Sequence, residues 1–365
     1  MAQTSLMGSL SDLLFYPFMF IGLISLLSPA FWSSRIIHKF GCLYALMAVY
    51  MVYEFTFGIE YVNTKTLLYL ISKLSTFAII IVSIDSNESF YRHKGVKILV
   101  MFMAFFLCYG MATGGHVSSS TGRALAGFTN ENTAGAMGAL TVGMLLFYMR
   151  DRKWTIVSVV ILFLGFYGVL AGGSRAGFLM LFLLVFLRYG VNIKTVAFVG
   201  LLIVAGLFIL PAIGVETVGL QRMMDTYHGV EGTNRGIERE AAEWMIAEKP
   251  YVGWGYMAVN QGYAATLSEL PSHNGYLEII KQMGYPVAIV YFLILSVTIY
   301  RYWRIKISYR QKMDLFFAMS LMLLVKANYE AAFIGVHEYG TNIFFVAIAM
   351  MSARAYSLKY SSVVK

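Results

Sequence analysis

Long apolar runs separated by short polar segments dominate the chain. The runs approach the roughly 20 residues that a helix needs to cross the hydrocarbon of a bilayer, and none alternates with the two-residue period of an outer-membrane strand. The pattern predicts an all-α fold, a polytopic transmembrane helical bundle of about eleven to twelve spans. The predicted spans are 10–28, 40–59, 66–84, 98–113, 134–149, 155–171, 177–189, 195–214, 285–303, 313–334 and 340–353.

Composition narrows the functional classes. Hydrophobic residues make up 59 % of the chain and charged residues only 13 %, which is too apolar for a water-soluble globule. The net charge of +9 is dispersed among loops without a basic stripe, which argues against nucleic acid as a partner. Cys42 and Cys108 lie in apolar runs away from any Cys/His cluster, so neither a disulfide nor a zinc site is predicted. The stretch from Leu10 to Leu27 has no basic leader and is interpreted as a retained span.

The distribution of positive charge predicts the orientation. Most of the 28 lysines and arginines fall in alternate loops, and the positive-inside rule makes that face cytoplasmic. The chain is then a multi-pass membrane protein, and for a bacterial inner membrane its other face is the periplasmic one. Eight cations fall on that outer face, where each requires a local reason: Lys65, Arg123, Arg175, Arg222, Arg235, Arg239, Lys249 and Lys281.

One outer loop, Val215 to Ser272, is far longer than the connections usual between bundle helices, and such loops are commonly functional. Thr233 or Asn234 can cap a helix that runs through Glu248 and is stopped by Pro250. We therefore divide the chain into an N-terminal transmembrane bundle (1–214), a large periplasmic loop (215–272) and C-terminal transmembrane helices (273–365).

Two segments offer cations for an anionic ligand. Three glycines open the backbone around Ser174 and Arg175 at the outer mouth of two spans, which lets an anion approach, although a tight turn with a snorkelling arginine explains it equally well. Arg235 and Arg239 share one face of the loop helix and can converge on a phosphate. The alternative for the helix is an ordinary surface pair between Arg239 and Glu243.

Polar residues at two membrane edges are further candidates. His273 precedes Asn274 and Tyr276 and can accept a proton near neutral pH, or it is an interfacial histidine with a structural role. The third outer loop begins its polar segment at Arg123, and its Asn130, Glu131 and Asn132 lie immediately before a span, where they can cap the helix or bind sugar hydroxyls.

Four charged residues lie in or beside apolar runs, where charge is costly and usually functional or paired: Glu54, Lys73, Lys326 and Glu330. They motivate a transporter or lipid flippase as the rival class. Lys326 and Glu330 stand at helical spacing and can instead pair within one helix. No two related halves of the kind common in transporters are visible in the sequence.

Taken in order, these segments resemble the O-antigen ligase and O-antigen polymerase family of bacterial inner-membrane glycosyltransferases. The family pattern is a Ser-Arg-Gly-like turn, then a periplasmic loop whose arginine precedes a helix ending in Pro-x-x-Gly-x-Gly, then His-Asn near the next span. The corresponding residues are Ser174–Gly177, Arg235, Pro250–Gly255 and His273–Asn274, within roughly residues 120 to 290. A tryptophan often follows the loop arginine by four positions in the family, whereas Arg239 stands there in this chain.

The resemblance implies a GT-C-like fold, a donor oligosaccharide on undecaprenyl diphosphate, and an acceptor that is a lipid-linked repeat unit for a polymerase or lipid A-core for a ligase. Membrane lipids and a chain-length regulator are the other implied partners. The loose match at Arg239 favours the polymerase. The departing lipid diphosphate gains negative charge, which must be stabilised. The chain has no Asp-x-Asp or Glu-Glu pair to hold a metal, so no metal and no cofactor are expected.

The resemblance assigns the site as follows. Arg175 and Arg235 receive the diphosphate, and His273 takes the proton of the acceptor hydroxyl, with Glu240 or Asp225 as alternative bases. The predicted substrate contacts are Arg239, Ser174, Asn274, Tyr276, Arg123 and Asn132.

Overall fold

The computed structural model describes residues 6–112, 131–172, 174–204, 234–309, 312–330, 333 and 339–361, and these contain helices but no strand. The α-helices are α1 (Leu6–Leu27), α2 (Ser34–Lys39), α3 (Gly41–Thr56), α4 (Thr64–Phe90), α5 (Val96–Ala112), α6 (Glu131–Tyr148), α7 (Ile156–Gly172), α8 (Arg175–Tyr189), α9 (Ile193–Val204), α10 (Asn234–Glu248), α11 (Tyr263–Leu267), α12 (Gly275–Ser308), α13 (Leu315–Lys326) and α14 (Tyr339–Ser361). Short 3-10 turns cover Pro29–Trp32 and Ile59–Tyr61, and a π-helical turn, Tyr91–Gly95, joins α4 to α5.

The helical prediction is confirmed for the described residues, because each predicted span contains a helix there; residues 205–214 of the span 195–214 lie outside the described residues. Three helical stretches are long and apolar enough to cross a membrane: Thr64–Tyr109, Gly275–Ser308 and Gly340–Tyr360. Five shorter apolar helices accompany them among the described residues. The stretch of 46 residues from Thr64 is more than twice the length of one span and contains the non-helical Asn87, which fits two predicted spans. The exact number of spans and their orientation stay predictions.

One predicted span is too long. The apolar run suggested a helix over 313–334, but α13 ends at Lys326. The next carbonyl, that of Ala327, accepts a hydrogen bond from the Gly275 N–H at 2.7 Å. Glu330 therefore lies beyond the end of the helix, and the two residues do not belong to one helix as the alternative interpretation assumed.

Contacts between α-carbons divide the chain into two compact units. The first contains Met1–Leu13, Ser89–Glu231 and Met313–Lys326, and the second contains Leu14–Glu88, Gly232–Lys312 and Ala327–Lys365. The predicted division at residues 214 and 272 stays a prediction.

In the first unit, α6 packs against α5, α7, α8 and α13. Glycines bring these backbones close together. A Cβ on Gly138 would lie 2.5 Å from the Gly165 carbonyl oxygen, and one on Gly143 would lie 2.2 Å from a methyl carbon of Leu184. Small residues are common where helices pack in membranes, since packing must replace the hydrophobic driving force that lipid does not provide.

In the second unit, α12 packs against α3, α10 and α14, and α11 packs against α10. The predicted helix after Thr233 is confirmed as α10. Its buried stripe contains Ala241, Ala242, Met245 and Ile246, at the spacing expected of an amphipathic helix. The apolar side of α10 is therefore buried against the rest of this unit, although the helix belongs to the predicted loop between membrane spans.

Candidate functional site

The Pro250–Gly255 turn is bound to α12 by backbone hydrogen bonds. The Trp254 N–H donates to the Lys281 carbonyl at 3.0 Å, and the Tyr285 N–H donates to the Pro250 carbonyl at 2.7 Å. Gly253 has a φ of +70°, and a Cβ there would lie 2.3 Å from the Gln282 carbonyl oxygen. The glycines of this motif thus have a structural role, because no other residue allows this approach.

The same contact explains an interruption of α12 just before the span predicted over 285–303. Gly284 has a φ of +72° and interrupts α12. A Cβ on Gly284 would lie 2.3 Å from the Tyr251 carbonyl oxygen. The helix therefore bends where the turn docks, and its first part, up to Met283, belongs with the loop.

Aromatic side chains hold the turn from the other side. The Tyr53 hydroxyl lies 2.9 Å from the Val252 carbonyl oxygen, is also within hydrogen-bonding distance of the Gln282 carbonyl, and accepts the Gly255 N–H at 3.1 Å. The Lys249 ammonium donates to the Tyr61 hydroxyl and lies 4.2 Å from the centre of the Trp254 ring. These contacts explain the presence of Lys249, one of the eight cations on the predicted outer face.

A buried ion pair holds the segment that leads to His273. Lys281 and Glu278 lie 2.8 Å apart, with side chains 0 % and 1 % exposed. Glu278 also accepts the Ser272 N–H at 2.8 Å, and Lys281 donates to Asn260 at 3.4 Å. Charges so deeply buried are tolerated only when paired and hydrogen-bonded. The backbone just before His273 is therefore fixed to α12.

His273 lies between two carboxylates. Its Nε2 is 3.7 Å from Glu238 Oε2, and its Nδ1 is 3.9 Å from Glu330 Oε2. The imidazole is 34 % exposed, whereas the side chains of Glu238 and Glu330 are 6 % and 12 % exposed. Both distances exceed a direct hydrogen bond but lie within ion-pair range. The ring is therefore partly accessible, and each of its nitrogens lies near a carboxylate.

Asn274 and Tyr276 follow at the start of α12. The Asn274 side-chain oxygen accepts the N–H groups of Tyr276 and Leu277 at 3.0 and 3.2 Å, so it is the N-cap of this helix. The Tyr276 ring packs against Phe292 and Phe333, with centres 5.2 and 5.6 Å away. These contacts fix the orientation of the chain immediately after His273.

The two arginines of α10 differ in environment. Arg239 is exposed and bonds Glu243 through its Nε at 2.6 Å, as the surface-pair alternative described. Arg235 is partly buried and has no ion-pair partner within the described part of the chain. It lies three positions before Glu238, so the two side chains are neighbours on one side of the helix. Arg235 is thus the arginine on the His273 side of α10.

The remaining predicted site residues belong to the first unit or lie outside the described residues. Ser174 is buried and caps α8 by accepting the Gly177 N–H at 3.2 Å. Arg175 begins α8 and is partly buried. Asn132 lies in the first turn of α6. Arg123 lies outside the described residues, as do Arg222 and Asp225.

Comparison with known protein families matches one continuous part of the chain that contains these segments. Residues 160–292 match the O-antigen ligase family model. The predicted resemblance is confirmed over this segment, which contains Ser174, Arg175, Arg235 and His273. No curated protein matches the chain. The match supports an O-antigen ligase or polymerase type of function in a membrane protein with several apolar helices.

Within this O-antigen ligase segment, sequence reasoning missed Glu238. A signal was available, because Glu238 stands on the apolar stripe of α10 one turn before Ala241 and Ala242, where a carboxylate is unusual. Glu330 was noticed only as a charge in an apolar run. Its place beside His273 depends on a contact between distant parts of the sequence.

Lys73 and Glu54 are the other two charged residues that motivated the transporter alternative. The Lys73 ammonium donates to the Phe333 carbonyl at 2.9 Å and lies 5.7 Å from the centre of the Phe345 ring. This contact holds the segment after Glu330. Glu54 is also buried, on α3. No cluster of three potential metal-ligating side chains occurs among the described residues.

Proposed function

We propose that this chain is an O-antigen, or surface-polysaccharide, polymerase. It joins undecaprenyl-diphosphate-linked repeat units at the periplasmic face of the bacterial inner membrane by inverting glycosyl transfer without a metal. The supporting observation is that the O-antigen ligase match includes both His273 and the helix that carries Arg235, on the same side as the histidine's carboxylate neighbour.

The reaction requires a base and a stabilised leaving group. The acceptor hydroxyl loses its proton to His273 as its oxygen attacks the anomeric carbon from the face opposite the diphosphate. The bond between that carbon and the phosphate oxygen breaks, and its electron pair leaves with the lipid diphosphate. Arg235 is placed to offer a planar guanidinium with several donors to the developing charge.

Arg175 is proposed as a second cation for the diphosphate, on the strength of the family motif alone. Its backbone is fixed by the Ser174 cap at the first turn of α8, where the positive end of the helix dipole also favours an anion. Arg175 is therefore tested as a separate variant.

The description of the matched family favours a second candidate, an O-antigen ligase that transfers the glycan to lipid A-core. The two candidates share the donor and the chemistry and differ in acceptor. Deletion of the gene separates them in cells. A polymerase defect leaves single repeat units on the surface lipid, whereas a ligase defect leaves long glycan on undecaprenyl diphosphate.

The direct test uses the full chain in nanodiscs and lipid-linked repeat units extracted from the deletion strain. We expect the parent chain to lengthen these lipids and His273→Ala to lose activity by about 100-fold or more, the contribution of a general base. His93→Ala is the matched control, since His93 is exposed and outside the matched segment. Full activity of His273→Ala would exclude His273 as the base. Failure of the parent chain to form longer products, with movement of intact lipids across the bilayer of sealed proteoliposomes instead, would favour a flippase.

A further inference from the structure

The Glu238 carboxylate is unusual because it is buried without a hydrogen bond to its Oε2 atom. The residue is 5 % exposed, and that oxygen has no hydrogen-bond partner in the described part of the chain. Its neighbours on the helix stripe are Ala241 and Ala242, both fully buried. A buried charge without complete pairing is costly, and an apolar side chain would suit this position better. Its presence calls for a role beyond packing.

We propose that Glu238 is a positioning residue for His273, which rests on the proposed function. Glu238 Oε2 faces the ring nitrogen Nε2 at 3.7 Å, close enough to stabilise a positive charge on the imidazole. When the acceptor O–H bond breaks, its proton forms an N–H bond at Nε2. The carboxylate of Glu238 then stabilises the resulting imidazolium and keeps its own protonation state throughout.

The separation between the two groups leaves Nε2 available to the acceptor. At 3.7 Å the carboxylate does not bond the imidazole directly, so Nε2 can accept the proton of an entering hydroxyl while Glu238 acts on the ring through its charge. The imidazole is 34 % exposed, so an acceptor can enter.

Glu330 completes the arrangement on the other edge of the ring. Its Oε2 faces Nδ1 at 3.9 Å. With a carboxylate near each ring nitrogen, both carboxylates stabilise the doubly protonated imidazolium that forms when Nε2 takes the proton of the acceptor. Among the described residues of this unit, the carboxylates within ion-pair range of His273 are Glu238 from α10 and Glu330 after α13, and Arg235 lies one turn before Glu238.

The test separates charge from shape at position 238. Glu238→Gln keeps the shape and removes the charge, whereas Glu238→Asp keeps the charge and shortens the side chain. Each full-length variant is assayed in nanodiscs with repeat-unit lipids extracted from the deletion strain. We expect Glu238→Gln to lower kcat by about 100-fold with KM changed less than about threefold, and Glu238→Asp to retain clearly more activity. Glu248→Gln, an exposed position on the same helix, is the matched control.

A purely structural role gives the reverse order, because the isosteric glutamine would then outperform the shorter aspartate. That order, or a loss of kcat that tracks a loss of thermal stability, overturns the inference. Glu238→Leu supplies an independent measurement. We expect its melting temperature to equal or exceed that of the parent chain while transfer is lost, since a buried carboxylate is replaced by an apolar group.

The two proposals fail in different ways. Full activity of His273→Ala contradicts the proposed base, whatever happens at position 238. Normal kcat in Glu238→Gln, with His273→Ala inactive, contradicts only the role of Glu238.

Discussion

Replacing Lys281 by methionine tests the buried ion pair that fixes the backbone before His273. In the parent chain, Lys281 and Glu278 lie 2.8 Å apart with almost no exposed surface. Methionine fills a similar volume but leaves the Glu278 carboxylate buried beside the Ser272 N–H, without its cationic partner. Loss of one partner from a buried pair typically costs about 3–5 kcal/mol, so we expect a destabilisation of that size.

A second substitution makes the prediction specific. With Glu278→Gln added to Lys281→Met, no charge remains, and the glutamine oxygen can still accept the Ser272 N–H. We expect the double variant to recover to within about 1 kcal/mol of the parent chain, which corresponds to a coupling energy of at least about 2 kcal/mol. Lys65→Met is the control, because Lys65 is exposed near the start of α4 and should change stability by less than about 0.5 kcal/mol.

Unfolding by SDS in mixed micelles measures these free energies, and the cycle requires all four chains under one condition. Additive losses in the two single variants, or a Lys281→Met chain as stable as the Lys65→Met control, would refute the assignment. The glycan-lengthening assay adds a second readout. Since the pair holds the segment before His273, the double variant should regain activity together with stability.

Three further predictions address the turn, the arginines and the metal question. Gly253→Ala should lower the free energy of unfolding by roughly 2–5 kcal/mol, because of strain at positive φ and overlap with α12. Gly236 is exposed with open space around it, so Gly236→Ala should raise that free energy by about 0.5–1 kcal/mol in the same SDS titration. Arg235→Lys should lower transfer about tenfold and Arg239→Lys less, since Arg239 already bonds Glu243; equal losses would contradict this. Transfer should persist in excess EDTA, and a loss that Mg²⁺ restores would contradict the proposed chemistry.

Much of the helical fold could be predicted from the sequence, because apolar runs and helix-ending residues act locally. The loop helix through Glu248 is predicted, and the span predicted over 285–303 begins next to the interruption at Gly284. The predicted helix over 313–334 is too long because hydropathy is also a local signal. Hydropathy continues past Lys326, but the chain leaves the helix there because the Ala327 carbonyl bonds the distant Gly275 N–H.

The candidate site was predicted only in part. His273 and Arg235 were accessible through an ordered motif, whereas the approach of Glu238 and Glu330 to the imidazole joins three separate segments of chain. Spacing could have suggested the pair of Glu278 with Lys281, since residues three apart are neighbours on a helix. The Pro-x-x-Gly-x-Gly motif would not by itself have revealed its role, because Gly253 is required by its contact with α12 and Gly255 by its contact with Tyr61, which are distant in sequence.

The close helix packing of the first unit bears on how genetic screens of this protein should be interpreted. A methyl group on Gly135 would lie 2.6 Å from the Ser174 Cβ atom, and one on Gly177 would lie 2.8 Å from the Gly135 carbonyl oxygen. Alanine at either position would displace the turn that begins at Ser174. In saturation mutagenesis, substitutions of these glycines would therefore be as harmful as substitutions of residues that bind sugar or phosphate. Protein abundance must be measured alongside glycan length before such a position is assigned to the chemistry.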